Sequence, residues 1–199
     1  MSRMEKVELT LAGKPLIIET GELAKQAGGS MVVRHGDSVV LCTACVSDED
    51  RDTDFLPFTV DVEERMYAAG KLPGGFIKRE GRPSEAATLM ARLIDRPLRP
   101  LFPKKFRRDM QVVVSPLSVD NDTSLPALGI IGASAALMAS QAPIYAAVAA
   151  LPIAYVEGEY IAFPDAAQQE ASELHMIVAG HRDGLLTIEI EAEQLPEPI

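Results

Sequence analysis

The sequence predicts an α+β fold, mixed sheets with helices, and three observations predict it. Short apolar or alternating runs fill the first sixty residues and return after Leu151, separated by glycine-bearing turns. Two segments between them carry helical spacing behind a capping or first-turn residue, Ser84 and Pro126. Strands and helices do not alternate as they would in a regular array of βαβ units.

Val7–Leu11 and Leu16–Glu19 read as strands flanking a turn at Gly13-Lys14. Glu22–Ala27 reads as one or two helical turns ended by Gly28-Gly29. Ser30–Val33 and Ser38–Val46 form a hairpin through His35-Gly36-Asp37, and the acidic run Asp48–Asp54 reads as a solvated loop. Phe55–Val62 resumes the strand pattern. Four glycines and two prolines in the fifteen residues Ala69–Pro83 predict a long irregular loop. A helix then runs from Glu85 to about Arg96, where Pro97 is expected to stop it. Ala86, Leu89, Met90 and Leu93 form its apolar stripe; Glu85, Thr88, Arg92 and Arg96 form a second, polar one. Met110–Val119 is a strand, and Ala127–Ser140 a helix whose small residues predict close approach of another backbone. Leu151–Phe163 reads as a hairpin turning at Glu157-Gly158-Glu159, and Asp165–Ser172 as a short helix. Leu174–Val178 and Leu185–Glu193 are strands joined through Ala179–Gly184.

At 199 residues the chain makes one domain or two small ones. Its 47% hydrophobic and 24% charged content excludes wholesale disorder. The most apolar stretch, Leu125–Met138, is too short to span a bilayer, so no membrane partner is expected. The charged N-terminus lacks an apolar leader, and a cytoplasmic location is the expectation. Cys42 and Cys45 form a lone C-x-x-C inside a strand, where residues three apart face opposite ways; two small, buried, reduced thiols are expected, not a redox or zinc site. His35, His175 and His181 offer no metal-ligand spacing, and no metal site is assigned to this chain.

Net charge is −10, but it is unevenly placed. Lys71–Arg108 holds 11 basic and 3 acidic residues, while the rest of the chain sums to −18. One basic block on an acidic chain is the footprint of an anionic partner. An unstacked RNA strand requires cations for its phosphates, flat or apolar side chains for its bases, and a backbone that can come close. Phe76 and Ile77 supply the stacking edge, Lys78, Arg79 and Arg82 the loop charge, and Arg92 and Arg96 a pair one helical turn apart. The RNA-binding candidates are therefore Phe76, Lys78, Arg79, Arg82, Arg92 and Arg96. Pairing of these arginines with acidic residues elsewhere is the structural alternative.

The run Gly70–Arg99 (GKLPGGFIKREGRPSEAATLMARLIDRPLR) closely resembles the first core domain of the bacterial polynucleotide phosphorylase family. Gly29–Val40, Leu101-Phe102-Pro103, Ile131–Leu137 and Ile177–Gly184 extend the likeness over essentially the whole chain. The resemblance implies a ribonuclease PH-like core, similar to ribosomal protein S5 domain 2, over residues 1–199. In such proteins a second core and RNA-binding KH and S1 domains follow, so the chain reads as a C-terminally truncated piece. It further implies a homotrimeric ring enclosing the 3′ end of single-stranded RNA, and mRNA degradation beside a helicase or endonuclease. The implied reaction is 3′→5′ phosphorolysis to nucleoside diphosphates by a nucleotidyltransferase, with inorganic phosphate as co-substrate and Mg²⁺ held in the second core.

Catalysis is expected outside this chain. Matching the small-residue helices puts Ser124, Leu125 and Pro126 where the second core of such proteins has a serine-rich phosphate loop. Matching Val178-Ala179-Gly180 puts His175 and Ile177 where it has an Asp and a Lys. The loop also departs from the family pattern of two aromatics and two arginines, reading Phe76-Ile77-Lys78-Arg79. A stand-alone, non-catalytic RNA-binding or assembly module is the alternative function, and an unrelated α+β domain with a basic loop for a protein partner is a third.

Overall fold

The computed structural model describes residues 4–76, 78–192 and 195. The chain builds two sheets around a central helix. The first sheet has six strands: β1 (Glu5–Leu11), β2 (Lys14–Thr20), β3 (Gly29–His35), β4 (Ser38–Asp50), β5 (Phe58–Val62) and β6 (Arg108–Ser118). Their order is β1-β2-β3-β4-β6-β5, antiparallel throughout except β5–β6, which is parallel. A parallel pair requires a crossover, and this one contains the glycine-rich loop and helix α1 (Glu85–Leu98). The basic block is thus the connection of a single β-α-β unit inside a sheet otherwise made of hairpins.

Helix α2 (Leu125–Ala139) follows β6. A four-stranded antiparallel sheet closes the chain: β7 (Ala149–Val156), β8 (Glu159–Ala162), β9 (Leu174–His181) and β10 (Gly184–Ala192), ordered β10-β9-β7-β8, with the short α3 (Ala166–Glu170) between β8 and β9. Helix α2 packs on β3, β4 and β6 on one side and on β7 on the other. Hence it is apolar all round, with Leu128, Ile130, Ala133, Ala136 and Leu137 fully buried. The expected close approach is real. A Cβ on Gly29 would lie 2.0 Å from the Ala136 carbonyl oxygen, and one on Gly132 would lie 2.5 Å from Cys42 Sγ. The expectation of two buried thiols holds for one: Cys42 is buried against α2, but Cys45, three residues on, faces the other side of the strand and is exposed; both are free thiols. Burial pushes the Cys42 thiol up to about 12.

Four expectations about secondary structure need correction. Glu22–Ala27 is a series of turns, not helix, because Gly21 and Ala24 take left-handed backbone angles. Pro97 does not stop α1: it falls in the last turn, where its missing N–H deprives only one carbonyl, and the chain continues through Leu98 into a 3₁₀ turn, Arg99–Leu101. Ala179–Gly184 is not a linker, since β9 extends to His181 and the reversal is confined to Arg182-Asp183. The acidic run is likewise strand as far as Asp50, pairing there with Arg108 across the sheet.

Among the described residues no helix is long and apolar enough to cross a membrane.

Candidate nucleic-acid interface

The loop between β5 and α1 is held at both feet. After β5 the chain makes a 3₁₀ turn, Met66–Ala69, closed by Gly70 at φ 65°, with the Gly70 N–H on the Tyr67 carbonyl at 2.9 Å. At the far foot the Glu80 carboxylate accepts the Met66 N–H at 3.2 Å. Ser84 caps α1 by accepting the Ala87 N–H at 3.0 Å and donates its hydroxyl hydrogen to Glu64 at 2.6 Å. Between these ties Leu72 and Phe76 stand fully in solvent, and no atom approaches within 4 Å of where a Cβ would sit on Gly74, Gly75 or Gly81. Lys78 sits at φ 50°, a left-handed conformation that costs a lysine some strain. Ile77 lies outside the described residues.

The structure divides the basic block by what each cation touches. Lys71, Lys78, Arg79, Arg82 and Arg92 form no ion pair or side-chain hydrogen bond among the described residues. Arg79 and Arg82 line a cleft of about 350 Å³ whose wall includes Glu63, Glu64 and Glu80. Arg92 and Arg96 line a separate groove of about 510 Å³, shared with Glu189 and Glu191 of β10. Arg96 is ion-paired with Glu189. The remaining arginines hold the fold. Arg99 forks onto Asp95 with two 2.7 Å bonds, donates to the Phe58 carbonyl at 2.8 Å, and lies over the Phe58 ring. Arg107 donates to the carbonyls of Thr53, Lys104, Phe106 and Asp54 at 2.8–3.2 Å, and Arg108 reaches Asp48 at 3.3 Å.

A cleft of about 630 Å³ brings together the two elements that the sequence matched separately. Ser124, Leu125 and Pro126, at the start of α2, face His175 and Ile177 of β9 across it. The Ser124 hydroxyl is already used as the α2 N-cap, accepting the Ala127 N–H, and Pro126 has no N–H to give. Its carboxylates are Glu189, neutralised by Arg96, and Glu191, across the strand pair from His175. Mg²⁺ favours several carboxylate oxygens and waters in octahedral array. Among the described residues no three His, Cys, Asp or Glu side chains converge in that way, so this donor set does not fit the cation.

The loop ahead of α2 is fixed by a carboxylate. Asp120 accepts the backbone N–H of Asp37 at 2.9 Å and of Asp122 at 3.0 Å, joining the β3–β4 turn to the α2 N-terminus. Partial burial opposes its ionisation, but hydrogen bonds from Thr123, Asp37, Ser38 and Asp122 outweigh it and hold the carboxyl below the usual range.

Residues 12–143 match the family model described as the 3′ exoribonuclease family, domain 1. Polyribonucleotide nucleotidyltransferases from Geobacillus kaustophilus and Staphylococcus carnosus are 51% and 52% identical over 191 and 198 residues, 96% and 99% of this chain. That of Streptococcus equi subsp. zooepidemicus is 53% identical over 190 residues. The chain spans only about a quarter of these relatives' length, between 26% and 28%. Among solved structures, rice Rrp46 superposes with a TM-score of 0.69 over 97% of this chain and 82% of its own, at 17% identity. The Archaeoglobus fulgidus exosome solved with RNA bound to its active site gives 0.68 over 98% of this chain and 80% of the other, also at 17%. These two likenesses establish a ribonuclease PH-like fold. On the family match, which spans β2 to β6, the loop crossover and α2, the chain belongs to the 3′ exoribonuclease family, as its domain 1.

Proposed function

We propose that this chain is the RNA-guiding first core of a polyribonucleotide nucleotidyltransferase, a phosphate-dependent 3′→5′ exoribonuclease of the cytoplasm that degrades mRNA. The observation that carries the reading is the tethered loop with its unpaired cations, in a chain about half identical to proteins of that name over nearly its whole length. Lys78, Arg79 and Arg82 attract the phosphates of a single strand, Phe76 offers a face to a base, and Arg92 and Arg96 continue the cationic track along α1. The reaction itself belongs to a second core. There an oxygen of inorganic phosphate attacks the terminal phosphodiester, the P–O3′ bond breaks, and the shortened RNA keeps the hydroxyl while a nucleoside diphosphate leaves. Mg²⁺ would be held there. Assembly as a homotrimeric ring, with a helicase or endonuclease as neighbour, belongs to the same reading.

The cleft beside α2 supports the division of labour, because the side chains of Leu125, Pro126 and Ile177 offer no donor or charge to phosphate and Pro126 has no backbone N–H. The isolated chain, purified free of host enzyme, is expected to release no nucleoside diphosphate from poly(A) with phosphate and Mg²⁺; phosphate-dependent turnover would overturn the assignment. The same cleft also suits a non-catalytic RNA-binding or assembly module acting without a second core. Adding a separately expressed second core separates the two: restored phosphorolysis favours the enzyme part, and its failure favours the module.

A further inference from the structure

Beside the cationic loop stands an aromatic side chain that the packing does not use. Tyr67, on the 3₁₀ turn Met66–Ala69, is 58% exposed, and its hydroxyl makes no hydrogen bond among the described residues. Its backbone is rigidly mounted. Ala68 is the buried member of the turn, and its carbonyl accepts the Val119 N–H at 3.0 Å. The Tyr67 and Met66 carbonyls accept from Gly70 and Lys71 at 2.9 Å each, and Glu80 holds the Met66 N–H. Arg65, paired with Glu63 at 2.6 Å, lies within electrostatic reach of the phenol. A single exposed apolar residue is ordinary. Here Met66, Tyr67, Leu72 and Phe76 are all exposed around one loop whose cations have no partners among the described residues. Apolar faces interleaved with free cations are what a single strand uses. An aromatic on a fixed backbone has only two side-chain torsions to immobilise on stacking, so it loses little entropy.

We infer that Tyr67 is a second base-stacking platform for the single strand that the loop guides, a residue that binds a nucleobase by its ring face and not a phosphate by charge. The inference rests on the RNA-guiding reading of the loop, and the test separates the two. The chain contains no tryptophan, so Tyr67→Trp installs a unique fluorophore at the proposed contact. Oligoadenylate should quench that emission, while inorganic polyphosphate, an anion without bases, should leave it unchanged. Tyr67→Phe should bind labelled oligoadenylate as the unaltered chain does, and Tyr67→Leu about fivefold or more weakly, with the same salt slope. Binding by anisotropy without quenching of the tryptophan, or equal affinity for Tyr67→Leu, would overturn the platform while leaving the loop's role intact. Absence of any binding to the unaltered chain would remove both.

Discussion

The two halves of the basic block have similar numbers of cations in the sequence, five and six, and opposite roles in the fold. From Lys71 to Arg92 five cations point into open space or shallow clefts with no ionic partner among the described residues. From Arg96 to Arg108 every arginine is engaged: Arg96 by Glu189, Arg99 by Asp95 and two carbonyls, Arg107 by four carbonyls, and Arg108 by Asp48. Among the described residues, only Lys104 and Lys105 have no partner on that side. Charge density along a chain therefore overstates what an anionic ligand can use. A guanidinium that satisfies loop carbonyls is part of the scaffold, and its charge is spent on the protein's own backbone.

The largest expected effect tests the scaffold half. Arg107→Met keeps the aliphatic stem but removes four hydrogen bonds. It should cost about 2 kcal/mol and lower Tm by about 4–8 °C, given hydrogen bonds from a charged donor and a chain of this size. The salt dependence of RNA affinity should not change; a flatter dependence with an unchanged melting curve would break the comparison. The guiding half should behave inversely. In a titration with fluorescent oligoadenylate, Lys78→Ala with Arg79→Ala should flatten the log–log salt slope by roughly 1 to 1.5, each single-strand phosphate contact contributing about 0.7. Melting should hardly move, because these side chains touch no packed group. Phe76→Ala should weaken binding without altering the slope.

Arg96 marks the boundary between the halves, and Glu189→Gln sharpens it. Releasing Arg96 from its partner should steepen the slope by up to about 0.7, at a stability cost under about 1 kcal/mol for an exposed pair. An unchanged slope would assign Arg96 wholly to the scaffold. The smallest effect is acid lability at the β3–β4 turn. The Asp120 carboxyl is held below its ordinary value in the folded chain. Its contribution is therefore complete above the unfolded value near 3.8 and declines as pH falls through the lowered folded one. Denaturant midpoints recorded between pH 5 and pH 2 should show a gentler decline for Asp120→Asn than for the unaltered chain.

Much of this was legible in the sequence because it is written in local patterns. The Ser84 cap, the small-residue helix, the Glu157-Gly158 reversal and the opposite facing of Cys42 and Cys45, though not the exposure of Cys45, all follow from spacing. What escaped depends on partners remote in the chain. Nothing near Arg107 in sequence announces that Thr53 and Asp54 will present carbonyls to it. Glu80 and Glu64 read as ordinary acidic residues, yet they fasten the loop to the 3₁₀ turn. Tyr67 has no spacing relation to Arg79 and Arg82; the Glu80–Met66 bond closes the loop back onto the turn that carries it. Ser124 and His175 are brought to one cleft by the stacking of α2 on the second sheet. Proline at position 97 was misleading because the rule against it concerns helix interiors, and the last turn is lenient.

The paired thiols of β4 supply a clock for the core. Cys45 lies open to solvent, whereas Cys42 is sealed beneath Gly132 with a thiol that burial keeps protonated. An alkylating reagent should label the exposed Cys45 in the native chain without any opening of the fold. It should reach Cys42 only during the moments when α2 lifts from the sheet. The ratio of the two labelling rates then measures the free energy of that opening directly, residue against residue in one molecule, without denaturant.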